Sequence, residues 1–519
     1  MAGNGSDARD GLLFLQTALE ATCVGAARSG SARRTYMERV SLCMIVKNEE
    51  RNLAECIGPV AGLVDEIVVV DTGSTDRTVE IARGLGARVV YFPWVDSFAA
   101  ARNESLRHAT GQWVLWLDAD DRIDDENCAK LRALLASLRD ENVGFVMKCH
   151  CLPDPVSRRS TTVDHVRLFR RHPGLRWRYR VHEQILGSLR ELGADVRWSD
   201  VVIQHTGYQD PALRQRKLQR DLRLLTLEQA ENGADPFVLF NLGMILHELH
   251  RPGEALGYLS ESLRQSHPSD SIVRKLYALI SQCHRQLRQN DEALASCREG
   301  RRHYPFDLEL LFHESVVLKE MGDVNGSEAC LLHLLFANEG QHFASINPAL
   351  RAIARHNLAV LCREQGRDGE AESHWQGAVG EGTDNTQCWV GLGELYLSQQ
   401  RWEELDNALA WLDTDDRAFI DAAVLRSRAL MARGDFTAAR RILESAIARE
   451  PGALLPRVVL SRLLLQEDRD LRSAEHALRA VLELCPEHAE ARHNLAVCTR
   501  RIAGQGLRPR LRGNGCACG

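Results

Sequence analysis

The sequence predicts two architectures in series: an α/β domain on a mostly parallel, doubly wound sheet, then an all-α solenoid of repeated helical hairpins. Three observations carry this. Short apolar runs alternate with helical segments from Val40 to Gly207, strand-like runs cease after Pro211, and from there to Ile502 a helix-start pattern recurs. At 519 residues the chain is too long for one core, because single cores stop growing near roughly 250–300 residues.

Composition sets the outer limits. Hydrophobic residues make up 44% and charged residues 26%, the balance of a globular chain. A net charge of −6 gives no overall attraction to nucleic acid or anionic membrane. No stretch approaches the ~18 uninterrupted apolar residues of a membrane span. Gly11 to Ala27 is fairly apolar, but Asp7 and Asp10 precede it and Gln16 and Glu20 interrupt it. A signal peptide needs a positive start and a clean apolar run, so residues 1–39 are read as a helical or flexible extension. The 15 cysteines are scattered, mostly at apolar positions, which suits reduced thiols in the cytoplasm.

The strand-like runs are Leu42–Val46, Ile67–Val70, Val89–Phe92, Trp113–Leu117 and Val143–Met147. They are short and rich in β-branched or aromatic residues, as in strands buried on both faces. Helical stretches such as Thr78–Leu85 and Phe98–His108 lie between them, the second preceded by Ser97 as N-cap. Such alternation favours a parallel sheet, and ligands of such sheets sit beyond the carboxyl ends of the strands. The α/β domain is expected over 40–210, a connecting helix over 211–234, the repeats over 235–503 and a disordered tail over 504–519. That tail ends in Cys516-Ala-Cys518, a weak pattern open to modification or metal binding.

Gly253-Glu-Ala-Leu256, Asp291-Glu-Ala-Leu294, Ser327-Glu-Ala329, Gly369-Glu-Ala371 and Phe436-Thr-Ala-Ala439 mark equivalent helix starts. Most spacings lie near ~34 residues. Trp389-x-x-Leu392-Gly393-x-x-Tyr396 is a nearly full signature, and Asn241-Leu-Gly243, His356-Asn-Leu-Ala359 and His493-Asn-Leu-Ala496 hold the same place in other units. These residues resemble tetratricopeptide repeats, in six or seven units with an irregular insertion around Phe336–Pro348. Such units bury their apolar faces by stacking.

The chemistry is concentrated at strand ends. Trp113-Val-Leu-Trp-Leu-Asp118-Ala-Asp120-Asp121 runs from an apolar strand into carboxylates. Two carboxylates one residue apart there suit a hard divalent cation held against a diphosphate. The other reading is a solvated turn before a helix N-terminus, where Asp124 and Asp125 would also be comfortable. Ser41-Leu-Cys-Met-Ile-Val46-Lys47-Asn48-Glu49-Glu50, Val68-Val-Val-Asp71-Thr-Gly73-Ser74 and Ala99-Ala-Ala-Arg102-Asn103 precede that strand in order. For Asp71 the other reading is an Asx turn before Gly73.

With these motifs, Val40 to Gly207 resembles glycosyltransferase family 2, which has the GT-A fold, and in particular the branch carrying a tetratricopeptide tail. The resemblance implies inverting transfer of a sugar from a nucleotide diphosphate sugar, UDP-linked by family preference. It implies a divalent metal (Mn or Mg) and a peptide, protein or envelope-glycan acceptor. Asp71 matches the aspartate on the base or ribose, Asp118 the aspartate near the ribose, Asp120 the metal ligand and Arg102 an arginine against the nucleotide. Lys47 and Asn48 stand where the first-strand loop lines the nucleotide pocket.

An inverting transferase needs a carboxylate to take the acceptor proton. The family places it after the metal strand, often in a Glu-Asp pair, whereas this sequence has His182-Glu183. Glu183 is the candidate base, and an ion-pair partner of nearby arginines is the other role open to it. His205 stands where some GT-A enzymes complete the metal shell, an imidazole role suited to manganese, or it serves as a structural hydrogen-bonder. Between Arg158 and Arg180 there are eight arginines and one acid, Asp164. They are read as a grip on the diphosphate or an anionic acceptor, or as a solvated loop. No groove-reading motif supports nucleic-acid binding, and no P-loop or dinucleotide fingerprint is present. The array is expected to hold the acceptor, a partner protein or a second copy of the chain. The competing function is a catalytically inactive tetratricopeptide adaptor.

Overall fold

The computed structural model describes residues 38–152, 161–207, 211–337, 347, 349–380 and 386–505. The expected N-terminal extension up to residue 37 and the Cys516/Cys518 tail lie outside the described residues. Packing divides the chain into two units. The first comprises the described part of Met1–Met147 with Val166–Arg178 and Glu183–Ile203, and the second comprises Lys148–His165, Tyr179–His182 and the chain from Gln204.

The α/β part begins with β1 (Val40–Val46), α1 (Leu53–Ile57), β2 (Glu66–Asp71), α2 (Thr78–Gly84), β3 (Arg88–Tyr91), α3 (Phe98–His108) and β4 (Trp113–Trp116). After β5 (Asp121–Arg122) come α4 (Asp125–Ser137), β6 (Val143–Cys151), β7 (Thr161–Arg170), α5 (Leu186–Glu191) and β8 (Asp195–His205). One sheet has the order β3-β2-β1-β4-β7-β6-β8-β5. Its first four strands are parallel, with Leu42 opposite both Ile67 and Leu115, and Val69 opposite Val89. β4 and β7 are antiparallel, Leu115 facing Leu168. The sheet is therefore mixed. Helices separate β1, β2, β3 and β4 and impose parallel order there, as βαβ crossovers do. None separates β6 from β7 among the described residues, and the crossover rule no longer applies.

β1, β2 and β4 are the apolar runs of the sequence, and their Leu42, Met44, Val69, Trp113 and Leu115 side chains are fully buried in one core. Ser97 caps α3 as expected, its hydroxyl accepting from Ala100 N–H at 3.1 Å. Asp124 caps α4 in the same way through Asn127 N–H. Gly111, which leads into β4, is there because nothing larger fits. A Cβ would lie 2.7–2.9 Å from Ser41 Oγ, Arg39 O and Ser41 N.

From Pro211 onward the described part of the second unit is helical. After the helix Pro211–Asn232, seven pairs of helices among the described residues run from Pro236–Glu248/Pro252–Gln265 to Leu454–Glu467/Leu471–Leu484, followed by Ala489–Gln505. The repeated Gly/Asp-Glu-Ala motifs fall in the first turn of second helices, at Pro252–Gln265, Asn290–His303 and Asp368–Gly380. The small residues of the signature permit close approach, since a Cβ on Gly243 would lie 2.5 Å from Leu259 Cγ on the partner helix. The described cysteines are thiols rather than disulfides, and all but Cys151 and Cys485 are buried. Among the described residues no helix is long and apolar enough to cross a membrane.

Candidate functional site

The adjacent parallel strands β2, β1 and β4 end on one edge of the sheet, and each ends in polar residues that the sequence singles out. Asp71 closes β2 and is 4% exposed. Its Oδ1 accepts from Ser74 N–H at 3.1 Å and its Oδ2 from Gly73 N–H at 3.2 Å. Gly73 has φ +106°, a conformation glycine adopts without strain. The Asx turn read as an alternative for Asp71 is therefore present, and it orients the carboxylate at the strand end. Asn48 follows β1 with φ +59°. Its Oδ1 accepts from Thr75 N–H at 2.8 Å, and its own N–H donates to Ser74 Oγ at 3.0 Å. These bonds lace the β1 and β2 loops together. Lys47 beside it is exposed.

At the end of β4, Asp118, Asp120 and Asp121 each place one carboxylate oxygen within 4.8 Å of the others. Asp121 turns inward and is 1% exposed. Its Oδ2 accepts from Asp118 N–H at 2.8 Å, and its own N–H donates to Asp118 O at 3.0 Å. The Cys56 thiol donates to the same Asp118 carbonyl at 3.1 Å. Burial, and then the charge of Asp121, push that thiol well above its ordinary value and keep it a donor. Asp118 and Asp120 are half-buried. Carboxylate oxygens grouped in this way suit a hard divalent cation such as Mn or Mg.

Two buried arginines face the cluster. Arg102, on α3, donates from Nη2 to Asp118 Oδ1 at 2.7 Å and from Nε to Glu183 Oε1 at 2.6 Å. Burial would lower its pKa, but the charges of Asp118 and Glu183 outweigh this and raise it. Its guanidinium lies over the Trp116 and Trp177 rings, 4.2 and 5.2 Å from their centroids. Arg167, on β7, donates to Asp121 Oδ2 at 2.8 Å, stands 3.9 Å from Asp118 Oδ2 and lies 3.7 Å over the Trp116 ring.

The structure thus brings Arg102, Asp118 and Glu183 into one ion-paired group, and ties Asn48 to the turn that follows Asp71. Glu183 follows Tyr179 and His182, which have φ of +70° and +54°, and the Arg178–Gln184 bridge brackets the segment. Its ion pair with Arg102 is the second role open to it from the sequence. His205 is the last residue of β8, and its carbonyl accepts from Leu152 N–H at 3.0 Å.

The described arginines of the basic stretch are largely paired rather than massed. Arg167 engages Asp121, Arg170 engages Glu38 and Asp140, Arg178 engages Glu191, and Arg180 engages Glu231. Arg158 and Arg159 lie outside the described residues. Sequence reasoning read Arg167 only as one member of the basic stretch and passed over Trp116 and Trp177. The available signal was an arginine inside the apolar run Val166-Arg167-Leu168-Phe169, a position that needs a buried counter-charge.

Comparisons with known proteins agree with these motifs. A family model described as Glycosyl transferase family 2 matches residues 41–186. A TPR repeat-containing protein of Synechococcus elongatus is 33% identical over 268 residues, 50% of this chain and 64% of that protein. The SPbeta prophage-derived glycosyltransferase SunS of Bacillus subtilis is 26% identical over 254 residues, 48% of this chain and 58% of that protein. The chain therefore spans less than two thirds of the length of either relative. A solved tetratricopeptide repeat protein from Parabacteroides merdae aligns with a TM-score of 0.42 and 13% identity, over 51% of this chain and 98% of that one.

Proposed function

We propose that this chain, in which residues 41–186 form a glycosyl transferase family 2 domain ahead of tetratricopeptide repeats, is an inverting transferase. It moves a sugar from a nucleotide diphosphate sugar, UDP-linked, to a peptide, protein or envelope-glycan acceptor. The observation that carries this reading is the carboxylate cluster at the end of β4 with Arg102 against Asp118. Asp71, Lys47, Asn48, Arg102 and Asp118 bind the nucleotide sugar. Asp120, with His205 as an imidazole ligand, holds a divalent metal. When bound, that metal supplies positive charge where the leaving diphosphate develops negative charge.

Glu183 is assigned as the carboxylate that takes the acceptor proton. The reading is supported by its place beside Asp118 on the same arginine, which fixes one carboxylate oxygen and orients the other. A base must reach within hydrogen-bond distance of the proton it removes. The residues 40–210 are taken as the catalytic domain, 211–234 as the connecting helix and 235–503 as the array. The array's role in this reading is to hold the acceptor, a partner protein or a second copy of the chain, and the chain works in the cytoplasm.

The test is release of nucleoside diphosphate from a panel of UDP-, GDP- and dTDP-sugars in Mn2+. Metal-dependent release from one of them, lost in Asp120→Asn, is the expected result. No release from any sugar, together with no metal-dependent nucleotide binding, would leave the inactive adaptor as the better description.

A further inference from the structure

The three aspartates at the end of β4 stand close together but are held in different ways. Asp121 is the most buried, and its Oδ2 accepts from the Asp118 N–H and from Arg167 Nη1, each at 2.8 Å. Asp118 meets Arg102 at 2.7 Å through one oxygen, and its other oxygen stands 3.9 Å from Arg167. Asp120 is half-buried one residue away.

Arg167 itself has little freedom. β4 and β7 pair antiparallel with Leu115 opposite Leu168, so the next step of that register sets Trp116 against Arg167. The guanidinium lies 3.7 Å over the Trp116 ring, and the ring's own Nε1–H donates to Val166 O at 2.7 Å. A planar guanidinium that stacks on an indole and donates along a fixed direction is pinned in a way that a lysine ammonium is not. The Arg167 side chain is 2% exposed and that of Asp121 is fully buried, so neither is solvated enough to stand without the other.

From this geometry we infer that Arg167 is a positioning residue for the transfer reaction: through Asp121 it fixes the backbone at Asp118 and so sets the relative placement of the Asp118 and Asp120 carboxylates. Asp121 bonds to the Asp118 N–H, and Asp118 lies between Arg102 and Arg167, while Asp120 keeps the metal role proposed for it. This inference rests on the proposed metal-assisted transfer, and its test reads metal binding without turnover.

The measurement is Mn2+ affinity in the presence of UDP, followed by the electron paramagnetic resonance of free Mn2+, on full-length variants. Arg167→Met with Asp121→Leu removes both charges at once and leaves the net charge unchanged, but Asp118 N–H loses its acceptor. Arg167→Met with Asp121→Asn also removes both charges, while the amide oxygen still accepts from Asp118 N–H. Supporting groups of this kind shift metal affinity by about 10–100-fold. The leucine double variant is expected to bind Mn2+ at least about tenfold more weakly than wild type, and the asparagine double variant to return within about threefold of it. Equal affinity in wild type and the leucine variant would overturn the positioning role, because charge neutralisation alone would then explain the pair. Equal weakness in both double variants would overturn it as well, by showing that the Asp118 N–H bond is not what Arg167 secures. A wild type that binds no Mn2+ in the presence of UDP would overturn the metal reading beneath it, a separate and recognisable failure. If the leucine variant fails to give a wild-type circular dichroism spectrum, Arg167→Met with Asp121→Ala takes its place, since it too removes both charges and the Asp118 N–H acceptor, and the same comparison with the asparagine double variant decides.

Discussion

Replacing Arg102 with alanine removes the cation that two carboxylates share. Its side chain is 6% exposed and meets Asp118 and Glu183 at 2.7 and 2.6 Å. Losing one partner of a buried ion pair costs about 3–5 kcal/mol, because the other charge is left uncompensated. Water reaches Asp118, whose side chain is 30% exposed, more readily than Glu183 at 13%, which pulls the figure toward the lower end. The stacking of the guanidinium on Trp116 and Trp177 is worth about 1–2 kcal/mol when desolvated. It overlaps with the ion-pair cost, since both count the same buried charge. The expected destabilisation is about 3 kcal/mol. Hydrogen exchange with mass spectrometry on the full chain reads this locally, in peptides covering α3 and β4, as exchange roughly a hundredfold faster through the opened state. Combining Arg102→Met with Glu183→Leu removes one of the stranded charges and should recover about half of the loss. A change below about 1 kcal/mol in Arg102→Ala would refute the reasoning, for it would mean that solvent already screens these carboxylates.

Three further outcomes are expected. Asp120→Asn should abolish metal-dependent turnover while unfolding within about 0.5 kcal/mol of wild type, as a half-buried carboxylate on a turn contributes little to the core; chemical denaturation beside the activity assay checks both. Glu66 accepts from Ser41 Oγ and from the Thr110 and Gly111 N–H groups. Burial would raise its pKa, but these bonds prevail and hold it below 4.5. That stabilisation is complete above the unfolded value and is lost as pH falls through the folded one, so Glu66→Gln should flatten the fall in melting temperature below pH 4.5. Gly111→Ala places a Cβ 2.7–2.9 Å from Ser41 and the Arg39 carbonyl. Two of those atoms are backbone and cannot turn aside, so overpacking should cost about 1–3 kcal/mol in thermal unfolding.

The fold was legible where hydrophobic runs and breakers agree. β1, β2 and β4 are continuous apolar runs because both faces are buried, and Phe98–His108 was readable from its Ser97 cap. β8 was less visible, since its apolar run covers only residues 201–203, of which Val201 and Ile203 are buried, and its first half is exposed or half-buried. The antiparallel pairing of β4 with β7 was hidden for a different reason, because register and direction belong to the pairing and leave no local mark in either strand. At the site, the carboxylates after β4 were legible as a motif, whereas their surroundings were not. Asp118, Asp120 and Asp121 are chemically alike, and burial, the Asp118 N–H bond and the arginines brought from α3 and β7 set Asp118 and Asp121 apart. The same limit applied to the basic stretch, whose arginines read as one patch until Arg167, Arg170, Arg178 and Arg180 are seen to have different acidic partners.

The central claim is that the end of β4 grips a divalent cation together with a nucleoside diphosphate. Titrating the full chain with Mn2+ in the presence and absence of UDP, and reading the resonance of the free ion, tests it most directly. The account predicts that UDP increases the amount of Mn2+ bound to one site per chain, and that Asp120→Asn removes that site. Mn2+ binding that is indifferent both to UDP and to Asp120→Asn would contradict it.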